Sequence, residues 1–455
     1  MPGLASDADR SADTEDQTEP RQPGSGMGRG FAALRYRNYR LFFCGQLISV
    51  TGTWMQSLAQ SWLVVDQLHA SAFQLGLVNV FQFGPVLLLG IPAGVIADKI
   101  PKRTLMLCSQ TIFGLLAAVL AVLVASGHVQ LWHVYLLAGL FGLTNAFDMP
   151  ARQAFVSEMV DREALMNAIA LNSAMFNTGR ILGPAIAGVI LAAFGPAVCF
   201  AINAVSYIAV IAGLLMMRVK PLVGAAAGTA ADKLREGLTY VRRTPDVLRP
   251  VLLVAFVGVF GMSFNVWLPL LARDSFHADA GTFGLLFSSM GAGSLAGALA
   301  IAFFGREPSR TRMLLAATAL GLAEIGVAVA ASVPLAVGVG MLLLAACGFS
   351  ASNAMAMANT IVQTTAPDEL RGRVMAVYST VFMGSTPIGA LVAGSISEKA
   401  GVVTSMIIGG VVVALAAITL TWLQRESTPT PTPLAVPVSS ATTPSQDVHV
   451  SPVND

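Results

Sequence analysis

The chain has 455 residues, 55% of them hydrophobic and only 11% charged, with a net charge of +2. A soluble protein carries about 25% charged residues, so this chain has too few to cover a water-facing surface, and its solvent is lipid. The charge balance says little about partners, and no nucleic acid is expected.

Four cysteines (Cys44, Cys108, Cys199, Cys347) each sit inside an apolar run and read as packing residues, not disulfides or metal ligands. Residues 1–30 are acidic, carry Ser, Gly and Pro, and lack an apolar core, so they read as a disordered tail and not a secretory signal. Residues 425–455, rich in Ser, Thr and Pro, read likewise.

A spanning helix needs about 20 mostly apolar residues. Twelve candidates follow in order: 40–66, 73–98, 104–126, 131–157, 165–194, 197–218, 250–272, 281–305, 311–331, 334–362, 373–398 and 402–424. Polar residues interrupt the fourth, fifth, tenth and eleventh. The expected fold is all-α, with twelve transmembrane helices. With the N-terminus inside, the inner segments hold 23 of the 27 Lys and Arg, and the outer loops hold Arg273 and Lys399. Positive charge follows the cytoplasmic side, so both termini are expected there, in a cell (inner) membrane.

The second inner loop reads GVIADKIPKR, from Gly94 to Arg103. It resembles the signature loop of the major facilitator superfamily, G-x-L-A-D-R-x-G-R-R. Gly94, Ala97, Asp98, Lys102 and Arg103 fit; Lys99 stands for Arg and Pro101 for Gly. The resemblance implies that Asp98 latches against a helix of the other half, here near Gly372 at the start of the eleventh span. A carboxylate is stabilised at a helix N-terminus by about 0.3–1 kcal/mol. Arg103 is expected to pair with Glu158. The alternative is that these charges only enforce topology.

The stretch from Asn145 to Gly188 carries charges that an apolar helix should avoid: Asp148, Arg152 and Arg180. Such residues usually face a bundle interior or a watered cavity. Asp148 and Arg152 are one turn apart on one face. Asp148 lies about 15 Å from the inner end of its span and Arg180 about 22 Å into the next, so the two are expected to meet near mid-membrane. Two readings stand: a proton-responsive pair, or a structural pair that fixes register.

The fifth span also carries Gly179, Gly183, Pro184 and Gly188. Small residues at 179, 183 and 187 admit a close neighbour, and Pro184 removes a helix hydrogen bond. The run resembles the superfamily's antiporter motif, G-x-x-x-G-P-x-x-G-G, with Ala187 in place of a Gly. Ordinary close packing is the other reading.

Residues 219–249 form the longest internal break and split the spans into bundles at 31–218 and 250–424. In KLREGLTYVRR, Leu234, Leu238 and Val241 share one face, opposite Lys233, Arg235, Arg242 and Arg243. This suits a helix lying on the inner leaflet, or a solvated linker helix. The halves echo one another. NAF and DREALMN recur weakly as NAM and PDELRGR, and Gly183-Pro184 as Pro387-Ile388-Gly389, at an offset of roughly 205–208 residues, as expected of two repeats around a central site. Glu324 sits deep in the ninth span, where snorkelling, protonation against lipid and a partner helix are all open.

From residue 31 to 424 the chain is similar to the enterobactin-exporter and macrolide-efflux branch of the superfamily, on YRNYRLFFCGQLISVTGTWMQSLAQSWLV, the 145–188 stretch and APDELRGRVMAVYS. That implies two six-helix bundles rocking about a central cavity. Candidate lining residues are Gln46, Trp54, Gln56, Asn145, Phe264, Asn265, Phe349 and Asn353, each also open to a packing role. The activity implied is export of a small drug-like or siderophore-like molecule by a monomer through proton antiport, with no other cofactor. Uptake of a nutrient and a transport-dead sensor are the rival functions. No GxxxxGKS stretch, HExxH or nucleophile–base pair is present, so neither ATP nor enzymatic chemistry is expected.

Overall fold

The computed structural model describes residues 31–218, 230–304, 308–333 and 337–426. The two expected tails and the first part of the central break lie outside them, apart from 425–426 at the last helix end. Among the described residues the protein is helical, without strands. The first six long helices are α1 (Arg37–Trp62), α2 (Ala72–Asp98), α3 (Lys102–Ala125), α4 (Leu131–Met159), α5 (Arg162–Phe194) and α6 (Pro196–Met216). Then come α7 (Ala230–Arg243), α8 (Pro245–Phe256) and α9 (Phe264–Leu270). The last five are α10 (Ala280–Phe304), α11 (Arg310–Ala330), α12 (Val337–Thr365), α13 (Asp368–Ala400) and α14 (Val402–Glu426).

Ten segments among the described residues are long and apolar enough to cross a membrane. The stretch Pro245–Ser275, which holds α8 and α9, counts as one of them. Helices α1 and α4 are long enough, at 26 and 29 residues, but polar side chains lower their hydropathy. Those polar groups are the ones that build the site described below.

The repeat is metrically regular. Helices α4, α5 and α6 start at Leu131, Arg162 and Pro196, and α12, α13 and α14 at Val337, Asp368 and Val402, each 206 residues later. Both α1 and α9 run on into a π-helical turn, Leu63–Gln67 and Leu271–Ser275. Each turn is followed by a histidine of positive φ, His69 at 48° and His277 at 46°, a conformation uncommon outside glycine. Polar caps then start the next helix. Ser71 Oγ accepts from the Gln74 N–H, and Asp279 Oδ1 accepts from the Thr282 N–H. At Gly195 and Gly401, φ of 77° and 86° turns the chain between helices in a single residue.

Helices α1–α6 pack among themselves, and so do α8–α14. The sets meet most extensively where α5 packs on α10 and α2 on α13, and α9 also touches α1 and α2. Both seams rest on glycine. A Cβ at Gly284 would stand 2.6 Å from Gly188 Cα, and one at Gly76 would stand 2.6 Å from the Ala390 carbonyl oxygen. Gly394 faces Ala72 in the second seam as Gly188 faces Gly284 in the first. The seams lie toward the end opposite the basic loops. There the Arg273 guanidinium donates to the Val65 carbonyl at 2.5 Å, and Trp62 stacks on Phe283 at 5.3 Å. At the basic end, Gly90 and Gly94 of α2 and Gly372 of α13 have open space around them. The two sets are thus in close contact toward the end away from the basic loops.

Helix α7 is docked. Gly237 abuts the Arg373 backbone, Glu236 pairs with Arg373, and Val241 is buried. Arg235, Arg242 and Arg243 are exposed, and Leu238 is partly so. The Lys233 and Leu234 side chains lie outside the described ones.

Lipid gives no hydrophobic drive between helices, so close packing must hold the seams. Gly284→Val should wedge the α5–α10 seam apart. Cysteines replacing Ala192 and Gly281, whose Cβ positions are 4.0 Å apart, fall within disulfide reach. In a background without native cysteines they should cross-link readily, and poorly once Gly284→Val is added. Equal yields in both chains would contradict the account of the seam.

Candidate functional site

A cavity of about 470 Å³ opens among α1–α6. Phe83, Phe113, Phe141 and Phe176 supply aromatic walls, and Gln46, Thr53, Gln82, Asn145, Gln153 and Asn172 supply amides and a hydroxyl. Asp148 and Arg152 sit on the same wall, one turn apart on α4.

Asp148 is fully buried. Its Oδ1 accepts from the Gln110 amide at 3.1 Å and from the Ser109 hydroxyl, both on α3. Its Oδ2 faces the Arg152 guanidinium at 3.2 Å. Arg152 also lies over the Phe176 ring, 5.2 Å from its centroid. The charge is thus neutralised by one cation and two neutral donors. Arg152 thus makes a cation–π contact of its own in the cavity wall, and its planar fork can offer hydrogen bonds to an acceptor there.

The expected meeting of Asp148 and Arg180 does not occur. Arg180 reaches out of its own half and donates to Ser294 Oγ of α10 at 3.0 Å, and Ser294 in turn donates to the Gly348 carbonyl. The backbone explains this: Gly291 sits against the Arg180 carbonyl oxygen, so the Arg180 face of α5 is the seam with α10. Among the described residues no carboxylate lies within ion-pair distance of Arg180. Gly179 and Gly183 pack on α1 at Val50, Thr51 and Trp54, and Gly188 packs on α10. The glycines around Pro184 therefore serve two neighbours, and α5 continues through Pro184 to Phe194.

The Arg103–Glu158 pair is also absent. Arg103 instead donates to the Leu214 and Leu215 carbonyls at the end of α6, where a helix leaves acceptors unpaired. Among the described residues Glu158 has no ion-pair partner within 4.0 Å. Asp98 is 54% exposed and paired with the buried Lys102 at 3.4 Å. It is not brought to Gly372, around which the space is open.

Of the expected lining residues, Gln46, Trp54 and Asn145 border the cavity. Gln56 adjoins it, bonded to the Asn203 amide at 2.6 Å. Those from the second half do not line it. Phe264 is buried edge-on against Trp267, and Asn265 is half-buried nearby. Phe349 and Asn353 lie on α12, with the Asn353 amide turned back to the Phe349 carbonyl. The lining of this cavity comes from α1–α6 alone. Ser109, Gln110, Gln153, Asn172 and Tyr207 were missed; the adjacent Ser-Gln inside the apolar third span was the available signal.

The sequence model of a family described as transmembrane secretion effector matches residues 28–438. This chain belongs to that family of the major facilitator superfamily. Among curated relatives of this family member, the multidrug efflux pump Tap of Mycolicibacterium fortuitum is 29% identical over 79% of this chain and 89% of its own. The staphyloferrin A transporter of Staphylococcus aureus is 25% identical over 82% and 92%, and macrolide efflux protein A of Streptococcus pyogenes 20% over 84% and 96%. A solved bacterial homolog of the human lysosomal transporter Spinster aligns with a TM-score of 0.65 at 15% identity, covering 88% of this chain and 98% of its own. The nucleoside transporter NupG aligns at 0.68 and 12%, covering 86% and 99%. The family member is therefore a multi-pass membrane transporter of the major facilitator fold, and not an enzyme.

Removing one partner of a buried ion pair costs about 3–5 kcal/mol, because a charge is stranded. Arg152→Leu should lose stability of that order. The double change Asp148→Asn with Arg152→Gln should lose less. Thermal unfolding in detergent compares them; a double variant no more stable than Arg152→Leu would contradict the pairing.

Proposed function

We propose that this protein exports a small amphiphilic molecule, drug-like or siderophore-like, by alternating access driven by proton entry. The observation that carries the reading is the one-sided cavity: aromatic walls, amides, and a neutralised Asp148–Arg152 pair, in a molecule whose two sets of helices are in close contact toward the end away from its basic loops. The positive-inside rule makes the basic end cytoplasmic, and in this reading the cavity loads from that side. Efflux and siderophore transport in the names of its relatives favour the same direction.

In this reading two six-span units, 31–218 and 250–424, rock about the seams, joined by 219–249. The protein works as a monomer in the cell (inner) membrane with both termini cytoplasmic, and uses neither nucleotide nor cofactor. A proton entering down the membrane potential supplies about 2.3 kcal/mol per 100 mV, and a tenfold pH difference adds about 1.4 kcal/mol. One proton thus supports a gradient of roughly a hundredfold or more. Asp98 is the latch of the opposite state, in which the basic ends close and bring it to the start of α13 near Gly372. The open space at Gly90, Gly94 and Gly372 leaves room for that closure.

The test is accumulation of labelled hydrophobic drugs and siderophores by inverted vesicles. Proton-dependent accumulation inside them is expected. Uptake only in right-side-out vesicles would mean nutrient import, and binding without flux would mean a sensor. Asp98→Asn should cut turnover at least tenfold, on the order of the 1.4 kcal/mol that equals that factor, without loss of folded protein. Unchanged turnover would remove the latch.

A further inference from the structure

Glu324 lies on α11, 14 residues past Arg310, or about 21 Å from the basic end. It is fully buried, and among the described residues neither carboxyl oxygen has a hydrogen-bond partner. The surroundings are tight. Gly321 and Gly410 bring α11 and α14 into backbone contact, and the Glu324 Cβ would be 3.2 Å from a Cβ at Gly410. The carboxyl points at the seventh span: Glu324 Oε1 is 3.2 Å from where a Cβ at Gly261 would stand.

That span is broken at this place. A π-helical turn, Val257–Gly261, ends at Met262, which leaves helical geometry with φ −121° and ψ 16°, and α9 restarts at Phe264. Ser263 is buried in the break with its hydroxyl unpartnered. Single π-turns often mark functional positions, and broken helices at membrane depth are tolerated where protein or water covers them.

The groups facing Glu324 are few. Cys347 of α12 is the titratable one, and the seventh span and α14 present glycine, valine and backbone. The other charges on those elements lie at the ends: Asp246, Arg249, Arg310, Arg312, Arg425 and Glu426 at the basic end, Arg273 and Asp274 at the other. Among the described residues no cation lies within ion-pair distance of it. An ionised carboxylate buried with neither a cation nor a protein donor beside it is strongly disfavoured, so the group holds its proton in this conformation.

We propose that Glu324 is a proton-binding site: it takes up a proton from the outer side when the seventh span moves and admits water there, holds it while that span is bent as here, and gives it up when water reaches it from the basic end. This deepens the proton-driven export reading and rests on it for its place in the cycle. The step is simple and balanced. The O–H bond of the carboxyl breaks, its electron pair stays on the oxygen, and the proton passes to water. Asp148 already has a cation and two donors in place, so Glu324 is the acid whose charge the conformation decides.

Infrared spectroscopy of the purified chain in lipid tests this. The carbonyl stretch of a protonated carboxylic acid should be present in the wild type at neutral pH and absent in Glu324→Gln. In Gly284→Val, which opens the seam, the band should titrate away at lower pH than in the wild type. Should Glu324→Gln not assemble, Glu324→Asp should shift the band. A wild type lacking the band, or identical titration in the wild type and Gly284→Val, would overturn the proposal. Export assays separate it from the underlying reading. Proton-independent export by the wild type, with the band behaving as expected, defeats the antiport reading alone. Proton-driven export that keeps its full pH profile in Glu324→Gln defeats the assignment of Glu324 alone.

Discussion

A polar group inside a bilayer can bond only with protein or with water that the protein admits. That constraint orders this molecule. Asp148 meets it with Arg152, Ser109 and Gln110, and the cost of burying a carboxylate becomes a rigid wall of a cavity. Arg180 meets it across the seam with Ser294. Glu324 does not meet it among the described residues, and the helix beside it is broken. Polar satisfaction therefore separates a partnered acid from one without a partner among the described residues.

The second constraint is how helices hold together without a hydrophobic drive. Four glycines, Gly76, Gly188, Gly284 and Gly394, bring backbones into contact across the two seams. They are related by the repeat: Gly188 and Gly394 are 206 residues apart and Gly76 and Gly284 are 208. Two equivalent seams can open or close together, as alternation of access requires. The chemistry is not repeated. The position 206 residues after Asp148 is Ala354, and the position 208 residues before Glu324 is Leu116. A symmetric scaffold thus carries an asymmetric set of charges, with the cavity in one half and the unpartnered acid in the other.

Much of the fold was legible because apolar run length and loop charge are strong, local signals. Helices α1 and α4 were legible for the same reason, although their polar residues keep them from qualifying on hydropathy alone. The repeat was visible in the NAF and NAM echo but had a clearer trace that went unread: Asp66, His69, Ala70 and Gly76 recur as Asp274, His277, Ala278 and Gly284. The site was less legible. Depth along a helix placed Asp148 and Arg180 at the same level, but depth does not fix which way a helix is turned. Gly291 and the α5–α10 seam set that rotation, and contacts between distant segments leave no periodicity in the sequence. Arg103 was misassigned for a related reason: charge complementarity to Glu158 lost to the unpaired carbonyls at the end of α6. The buried state of Glu324 needed three helices to be in place before it had meaning.

The central claim is that the two ends of this molecule open in turn. Paired spin labels measure it most directly, one pair at Lys99 and Arg371 on the basic face, the other at Phe73 and Glu398 on the opposite face. Acidifying one side and adding an exported drug should shorten the first distance and lengthen the second in the same population of molecules. Distances that stay fixed at both ends, or that lengthen together, would contradict the account.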